Sequence, residues 1–218
     1  MRRSIILTVL VVLALVFGTF GSTHAVTLVP DVWTDLPGVS GGAGPGTVVE
    51  DVIKNFSFGG VDGSAYTGTV QNRVLRHADN TLSFIWQVTN DSTSSGNIMG
   101  FRLGDFLSST YDANWSTTSM GEVGVDAALL FSTPLGFVNF RFEGDGIAPG
   151  QSSRFFFLNT DATAYAETAI YDLTTNGPIS SLYSTFAPSA VATPEPGIFL
   201  LLSSSLFGLA AIARSRRK

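Results

Sequence analysis

Short runs of alternating apolar and polar residues recur along the middle of the chain, separated by clusters of Gly, Ser, Thr, Asn and Asp. In residues 82–89 every second position is large and apolar: Leu82, Phe84, Trp86 and Val88. Residues 138–142 repeat this period with Val138, Phe140 and Phe142. A period of two predicts strands with one buried face and one partly wet face. Residues 155–158 are apolar at every position, which predicts a strand buried on both sides.

Weaker strand patterns occupy five further ranges: 67–76, 98–106, 123–130, 165–171 and 179–186. No long helical period interrupts them, so the sequence predicts an all-β domain. We expect a single antiparallel, jelly-roll-like β-sandwich from residue 26 to 192, and a mostly antiparallel barrel is the alternative. The Gly- and Pro-rich residues 37–46 predict a loop or an extended lead-in, and residues 185–193 predict a linker.

Two apolar segments lie outside this domain, and the first is at the N-terminus. Arg2 and Arg3 precede an apolar run over residues 5–20, and small residues lead to Ala25. This order is typical of a secretory signal peptide, so residues 1–25 are predicted to be removed by cleavage after Ala25. An uncleaved transmembrane helix is the alternative.

The C-terminal residues 193–218 have a fixed order of three parts. Pro194, Glu195 and Pro196 come first, then residues 197–213 without any charge, and then a basic cluster of Arg214, Arg216, Arg217 and Lys218. The prolines bar a helix upstream, and the uncharged run would form a helix of about 25 Å, a short membrane span. Basic flanks stay in the cytoplasm, so this cluster predicts a stop-transfer signal with the body of the protein outside.

This three-part tail resembles the PEP-CTERM sorting signal of exported proteins from Gram-negative bacteria. The resemblance implies an exosortase as partner, a membrane-embedded protease that processes such tails near Pro-Glu-Pro. It also implies a transient anchor in the inner membrane, followed by release to the cell surface or the extracellular space. The chain has Thr193 where the family commonly has Val. An ordinary tail anchor, or a buried C-terminal helix, is the alternative.

The body also resembles, loosely, the bodies of other PEP-CTERM proteins. The residues that carry this second resemblance are 81–90, 100–106 and 147–155, which look like paired strands and a turn leading into a strand. The resemblance includes no catalytic motif, and it supports the sandwich prediction without implying an activity.

Charge and cysteine content exclude several classes of function. Between residues 26 and 192 there are six Lys and Arg against sixteen Asp and Glu, a net charge of −10. Such a surface repels phosphate backbones, so nucleic acid is not an expected partner. The chain contains no cysteine, which removes disulfides, thiol catalysis and thiolate zinc sites.

The polar residues give few candidates for chemistry. His77 lies in residues 77–80, which predict an exposed hairpin turn. Paired carboxylates could serve glycoside hydrolysis, and the candidate pairs are Glu143 with Asp145, Glu122 with Asp126, and Glu50 with Asp51. Glu143 and Asp145 are also weak calcium candidates, although Gly144 and Gly146 suit a plain polar turn. We therefore expect no catalytic residue and no cofactor.

The tryptophans are candidates for sugar binding, and three Asn-x-Ser triplets are candidates for glycosylation. Flat aromatic rings stack on sugars, so Trp33, Trp86 and Trp115 are candidates for a sugar-binding surface. Trp86 fits the core better by its alternation, and Trp115 is the better candidate for an exposed ring. The Asn-x-Ser triplets, which carry little weight in a bacterial chain, begin at Asn55, Asn90 and Asn114. The sequence thus predicts a non-enzymatic exported surface or matrix protein that is associated with exopolysaccharide. A carbohydrate-binding or carbohydrate-active sandwich is the alternative.

Overall fold

The computed structural model describes residues 25–59, 63–178 and 180–189, which form twelve β-strands and no helix. No helix in these residues is long and apolar enough to cross a membrane. The predicted signal peptide upstream of Ala25 and the whole predicted sorting signal lie outside the described residues.

Six strands form the first sheet, and every neighbouring pair in it is antiparallel. Their spatial order is β1 (Val26–Thr27), β7 (Asp112–Trp115), β10 (Phe156–Asn159), β5 (Leu82–Asn90), β4 (Ala65–Arg76) and β3 (Thr47–Gly59). The strand predicted to be buried on both faces, β10, has a neighbour on each side. Phe156 and Leu158 are buried in the main core and Phe157 in a second cluster on the opposite face, which explains why residues 155–158 carry no polar side chain.

The second sheet also has six strands in antiparallel pairs. Their order is β12 (Tyr183–Pro188), β11 (Tyr165–Thr175), β6 (Ile98–Gly104), β9 (Val138–Phe142), β8 (Val125–Leu130) and β2 (Trp33–Asp35). Three pairs are nested in the chain, since β8 pairs with β9, β7 with β10, and β6 with β11. The chain is therefore folded back on itself around the β8–β9 hairpin.

The two sheets pack face to face over an aromatic core. Trp86 lies at its centre, with ring centroids 5.6 Å from Phe101 and 5.9 Å from Phe156. The indole nitrogen of Trp86 donates a hydrogen bond of 2.9 Å to the Thr185 hydroxyl, which satisfies the one polar atom of the ring. The prediction of an all-β domain with two packed antiparallel sheets is confirmed, and so is the core position of Trp86.

A second, smaller apolar cluster covers the outer face of the first sheet. Its buried members are Val39, Leu75, Ile85 and Phe157, and Ala25, Ala43 and Phe155 pack against them. Residues 37–46, hereafter the covering segment, supply Val39 and Ala43. The segment predicted as a loop or a lead-in is thus a loop that packs on a sheet. The period of two predicts a partly wet outer face for β5, but Ile85 on that face is buried in this cluster.

The covering segment is held by a tight backbone contact. Gly38 has a φ of 76°, and its amide donates a 2.9 Å hydrogen bond to Oδ1 of the buried Asn114. A Cβ at Gly38 would lie 2.7 Å from atoms of Trp115 and Thr117. Only glycine fits both the left-handed conformation and this close approach.

One prediction of element bounds was wrong, and one long strand was missed. The predicted linker from residue 185 overlaps β12, because Phe186 and Ala187 are buried in the main core. The long strand β3 was not predicted at all. Its apolar period is interrupted by a bulge between Val48 and Glu50 and by Lys54, whose side chain reaches Glu167 and Ser184 of the second sheet.

Candidate functional site

Three polar residues form a row across the outer face of the second sheet. Asp172 of β11 is opposite Arg102 of β6, and Arg102 is opposite Asn139 of β9. Side chains alternate along strands, and the flanking residues are buried in the core: Phe101, Leu103, Val138, Phe140, Tyr171 and Leu173. The row therefore faces away from the core.

Arg102 and Asp172 form a two-pronged ion pair. Nε of Arg102 donates to Oδ1 of Asp172 at 2.6 Å, and Nη2 donates to Oδ2. The side chain of Asp172 is 12 % exposed and that of Arg102 is 37 % exposed. The hydrogen bonds to Asp172 raise the pKa of Arg102, against the opposing effect of burial. This fixed fork leaves Nη1 of Arg102 without a partner among the described residues.

A hollow lies beside this row, next to a strand position that Phe137 and Ile170 cover. Gly104 of β6 is opposite Ile170 of β11, and a Cβ added to Gly104 would be 3.2 Å from Ile170 and 3.1 Å from the Phe137 ring. The hollow, hereafter the Gly104 hollow, has a volume of about 320 Å³. Apolar residues form most of its lining: Phe131, Pro134, Phe137, Ile170 and Leu182. Arg102, Asn139 and Asp172 form its polar end.

The structure does not bring two of the predicted carboxylate pairs together as acid and base. Glu50 accepts a hydrogen bond from the Tyr165 hydroxyl at 3.2 Å, whereas Asp51 binds Gln71 and Arg73. Neighbouring positions on a strand point to opposite faces, so Glu50 and Asp51 diverge.

The second pair is divided in the same way. The Glu122 carboxylate accepts from the backbone amide of Ser152 at 2.8 Å. Asp126 forms an ion pair with Arg141 on the second sheet. Each carboxylate thus has its own structural partner.

The third pair, Glu143 and Asp145, lies in the turn after β9. The Glu143 carboxylate accepts from the Gly124 amide at 3.2 Å, and the Gly146 amide donates to the Glu143 carbonyl at 3.0 Å. Gly144 and Gly146 both have positive φ, as a tight turn requires. Among the described residues, no group of three or more His, Asp or Glu side chains is arranged to hold a metal ion.

His77 does lie in the predicted hairpin turn, between β4 and β5, but it is half-buried rather than exposed. Its Nδ1 is 2.8 Å from the Pro45 carbonyl oxygen, and its Nε2 is 2.5 Å from the Ser83 hydroxyl. The Ser83 oxygen is in turn 2.6 Å from Oδ1 of Asn159. Ser83 is fully buried, so this chain of hydrogen bonds ties the turn to the first sheet and does not present a nucleophile.

The prediction that Trp115 is an exposed ring was wrong. Trp115 is 9 % exposed, and its indole nitrogen donates to the Leu36 carbonyl at 3.0 Å, beneath the covering segment. Trp33 is the exposed tryptophan of the described residues, and the Arg141 guanidinium lies 5.0 Å from its ring centroid. Of the three sequon asparagines, Asn90 and Asn114 are fully buried, which leaves only Asn55 accessible.

The residues around the predicted processing sites are described only in part. Ala25 is half-buried against the second cluster, and β1 begins at the next residue, Val26. Pro194, Glu195, Pro196 and the cluster of Arg214, Arg216, Arg217 and Lys218 lie outside the described residues. These parts of the signal-peptide and sorting hypotheses remain predictions.

In comparisons with known proteins, no family model matches the chain, and no curated protein or solved structure matches it significantly. The chemistry of the Gly104 hollow therefore has to be argued from its own residues. Sequence reasoning missed this hollow. A signal was present in residues 100–104, where glycines alternate with the single charged residue Arg102 on one face of a predicted strand.

Proposed function

We propose that this chain is a non-enzymatic exported protein of the cell surface or extracellular matrix, associated with exopolysaccharide. In this proposal residues 1–25 are a signal peptide, and residues 193–218 form a transmembrane sorting signal that an exosortase processes. The nested pairing of β8 with β9, β7 with β10, and β6 with β11 supports a jelly-roll-like fold for the sandwich between them.

One observation carries the proposal, namely the order of Pro194–Glu195–Pro196, an uncharged stretch and a basic cluster at the C-terminus. The last strand, β12, ends at Pro188, only six positions before Pro194. A protease acting at the motif would therefore cut C-terminal to β12 and leave the described strands intact.

A triple substitution tests the sorting signal. In the bacterium that makes the protein, the Pro194→Ala/Glu195→Ala/Pro196→Ala variant should remain in the membrane fraction with its tail intact. The matched control, Val191→Ala/Thr193→Ser, alters the same segment without touching the motif and should be released like the wild type. The intact mass of the released protein then locates both cleavages at once.

Two results would contradict the proposal. Equal processing and release of the triple variant and the wild type would show that Pro-Glu-Pro is not recognised. A released protein whose mass includes Lys218 would show that the tail is an anchor and not a processed signal.

A further inference from the structure

We propose that the Gly104 hollow binds a neutral glycosyl residue of a polysaccharide. The apolar face of the sugar ring would lie against Phe137 and Ile170, and its hydroxyls would pair with Arg102 and Asn139. The inference rests on the proposed function only for the source of the sugar, which is the exopolysaccharide.

The polar end of the hollow requires a ligand that can both donate and accept hydrogen bonds. Nη1 of Arg102 offers two N–H donors, and the Asn139 amide offers two donors and an acceptor, with no protein partner among the described residues. A purely apolar ligand would remove these groups from water without replacing their hydrogen bonds. A sugar hydroxyl donates and accepts, so it can pair with both side chains.

Charge selects a neutral ligand over an anionic one. The Arg102 charge is already balanced by Asp172, so the hollow presents N–H donors without a net positive charge. The surrounding domain has six cations against sixteen acids, and four of the cations form ion pairs: Lys54, Arg73, Arg102 and Arg141. A uronate or a phosphorylated ligand would therefore be repelled by the negative charge of the domain, and it would find no cation in the hollow that is not already paired with a carboxylate.

The size and lining of the hollow fit one ring rather than an extended apolar chain. Its volume of about 320 Å³ is at the lower end of the range for small-ligand sites, about 300 to 1,000 Å³. Phe137 and Ile170 pack closely over Gly104 and present an apolar surface to the hollow, on which a flat group can lie. The C–H face of a pyranose is such a group, and its hydroxyls would extend to the polar end.

The first test measures binding by the full-length protein in detergent micelles. Isotope-labelled protein is titrated with neutral oligosaccharides of glucose, mannose, galactose and N-acetylglucosamine, and separately with oligogalacturonate. At least one neutral oligosaccharide should shift the amide signals of Gly104 and Asn139, and oligogalacturonate at equal concentration should not. The proposal is overturned if no neutral oligosaccharide shifts them, or if oligogalacturonate binds as tightly.

Variants then assign the binding to the hollow. Asn139→Ala should weaken affinity about fivefold, as expected for one lost hydrogen bond. Gly104→Leu should abolish detectable binding, because even a Cβ at this position crowds Phe137 and Ile170, so the larger side chain would displace both from the lining of the hollow. Thr174→Ala is the matched control, since Thr174 follows Asp172 on the same outer face and does not line the hollow.

The variants also keep the two proposals separate. If Gly104→Leu fails to fold, Asn139→Ala still decides, and unchanged affinity in Asn139→Ala would overturn the site. The titration uses unprocessed full-length protein, so its result does not depend on an exosortase. The release assay does not depend on sugar binding. A failed titration with normal processing would therefore refute the sugar site alone, and the reverse result would refute the sorting signal alone.

Discussion

The two outer faces of the sandwich differ in what lies over them. On the first sheet, the covering segment packs over Ile85 and Phe157 and makes a second apolar cluster. On the second sheet, the corresponding surface has a hollow beside Gly104, and the N–H donors at its polar end have no partner among the described residues. The covered face contributes to stability, whereas the hollow leaves hydrogen-bonding groups available to a ligand. Matched substitutions on the two faces can test this division.

The largest difference is expected for a pair of Phe→Ala substitutions. Phe157 is fully buried beneath the covering segment, whereas Phe137 is half-buried at the wall of the hollow. Phe157→Ala should lower the free energy of unfolding by about 3 to 4 kcal/mol, because it leaves a cavity, and Phe137→Ala by only about 1 kcal/mol. Urea denaturation of both variants measures the difference. Equal losses would show that the two faces are not distinct.

A pair of Gly→Ala substitutions tests whether the covering segment is clamped to the sheet. Gly38→Ala introduces a Cβ 2.7 Å from Trp115 at a positive φ, and should cost about 2 kcal/mol. At Gly41 an added Cβ meets nothing within 4 Å, so Gly41→Ala should change stability by less than about 0.5 kcal/mol. Thermal unfolding compares the stabilities of the two variants. If Gly38→Ala were as stable as the wild type, the covering segment could move away from the sheet at little cost.

A smaller effect is expected for a pair of Asn→Ala substitutions. Asn159→Ala removes the acceptor to which the buried Ser83 hydroxyl donates, and should cost about 1 to 2 kcal/mol. Asn139 has no hydrogen-bond partner among the described residues, so Asn139→Ala should stay within about 0.5 kcal/mol of the wild type. Chemical denaturation of both variants measures the two losses of unfolding free energy. A large loss in Asn139→Ala would assign Asn139 a structural role and weaken the case for a ligand.

The same contrast explains how much of the fold could be predicted from sequence. The period of two in residues 82–89 and 138–142 gave the correct buried faces, because those strands lie against the main core on one side. Ile85 and Phe157 also signalled burial on the outer side, but no local pattern identifies the segment that covers them. The second cluster joins Val39 and Phe157, which are more than one hundred positions apart, and only the folded sheets bring them together.

The candidate site was less predictable than the fold. Arg102, Asn139 and Asp172 come from three strands, and their alignment depends on the register of β6 with β9 and β11. A shift of one residue would turn Arg102 into the core, so register had to be known before the row could be recognised. Trp115 was mispredicted for a related reason, because the covering segment that buries it is distant in sequence.

The smallest expected effect concerns an ion pair on the first sheet. On the first sheet, Arg73 pairs with Asp51 and its guanidinium lies 4.9 Å from the Phe155 ring centroid, beside the second cluster. Burial raises the pKa of Asp51, but hydrogen bonds from Arg73 and Gln71 outweigh it and leave that pKa below its usual range. Because the folded pKa is lowered, the pair stabilises the fold above the unfolded pKa of about 3.9. That contribution is lost as the pH falls through the folded value.

Asp51→Asn should therefore be less stable than the wild type at neutral pH, and the difference should vanish in strong acid. The expected difference is small, because the Asp51 side chain is 37 % exposed and solvent screens the pair. Urea unfolding measures this difference at about pH 6, which is well above the usual pKa of Asp, and at about pH 2.5, which is below it. In an Arg73→Met background the pH dependence of the Asp51→Asn effect should shrink, since the main hydrogen-bond donor is gone. If the difference in unfolding free energy stayed constant from neutral pH into acid, Asp51 would contribute through its shape and not through its charge. The covered apolar cluster would then stabilise the first sheet without help from this ion pair.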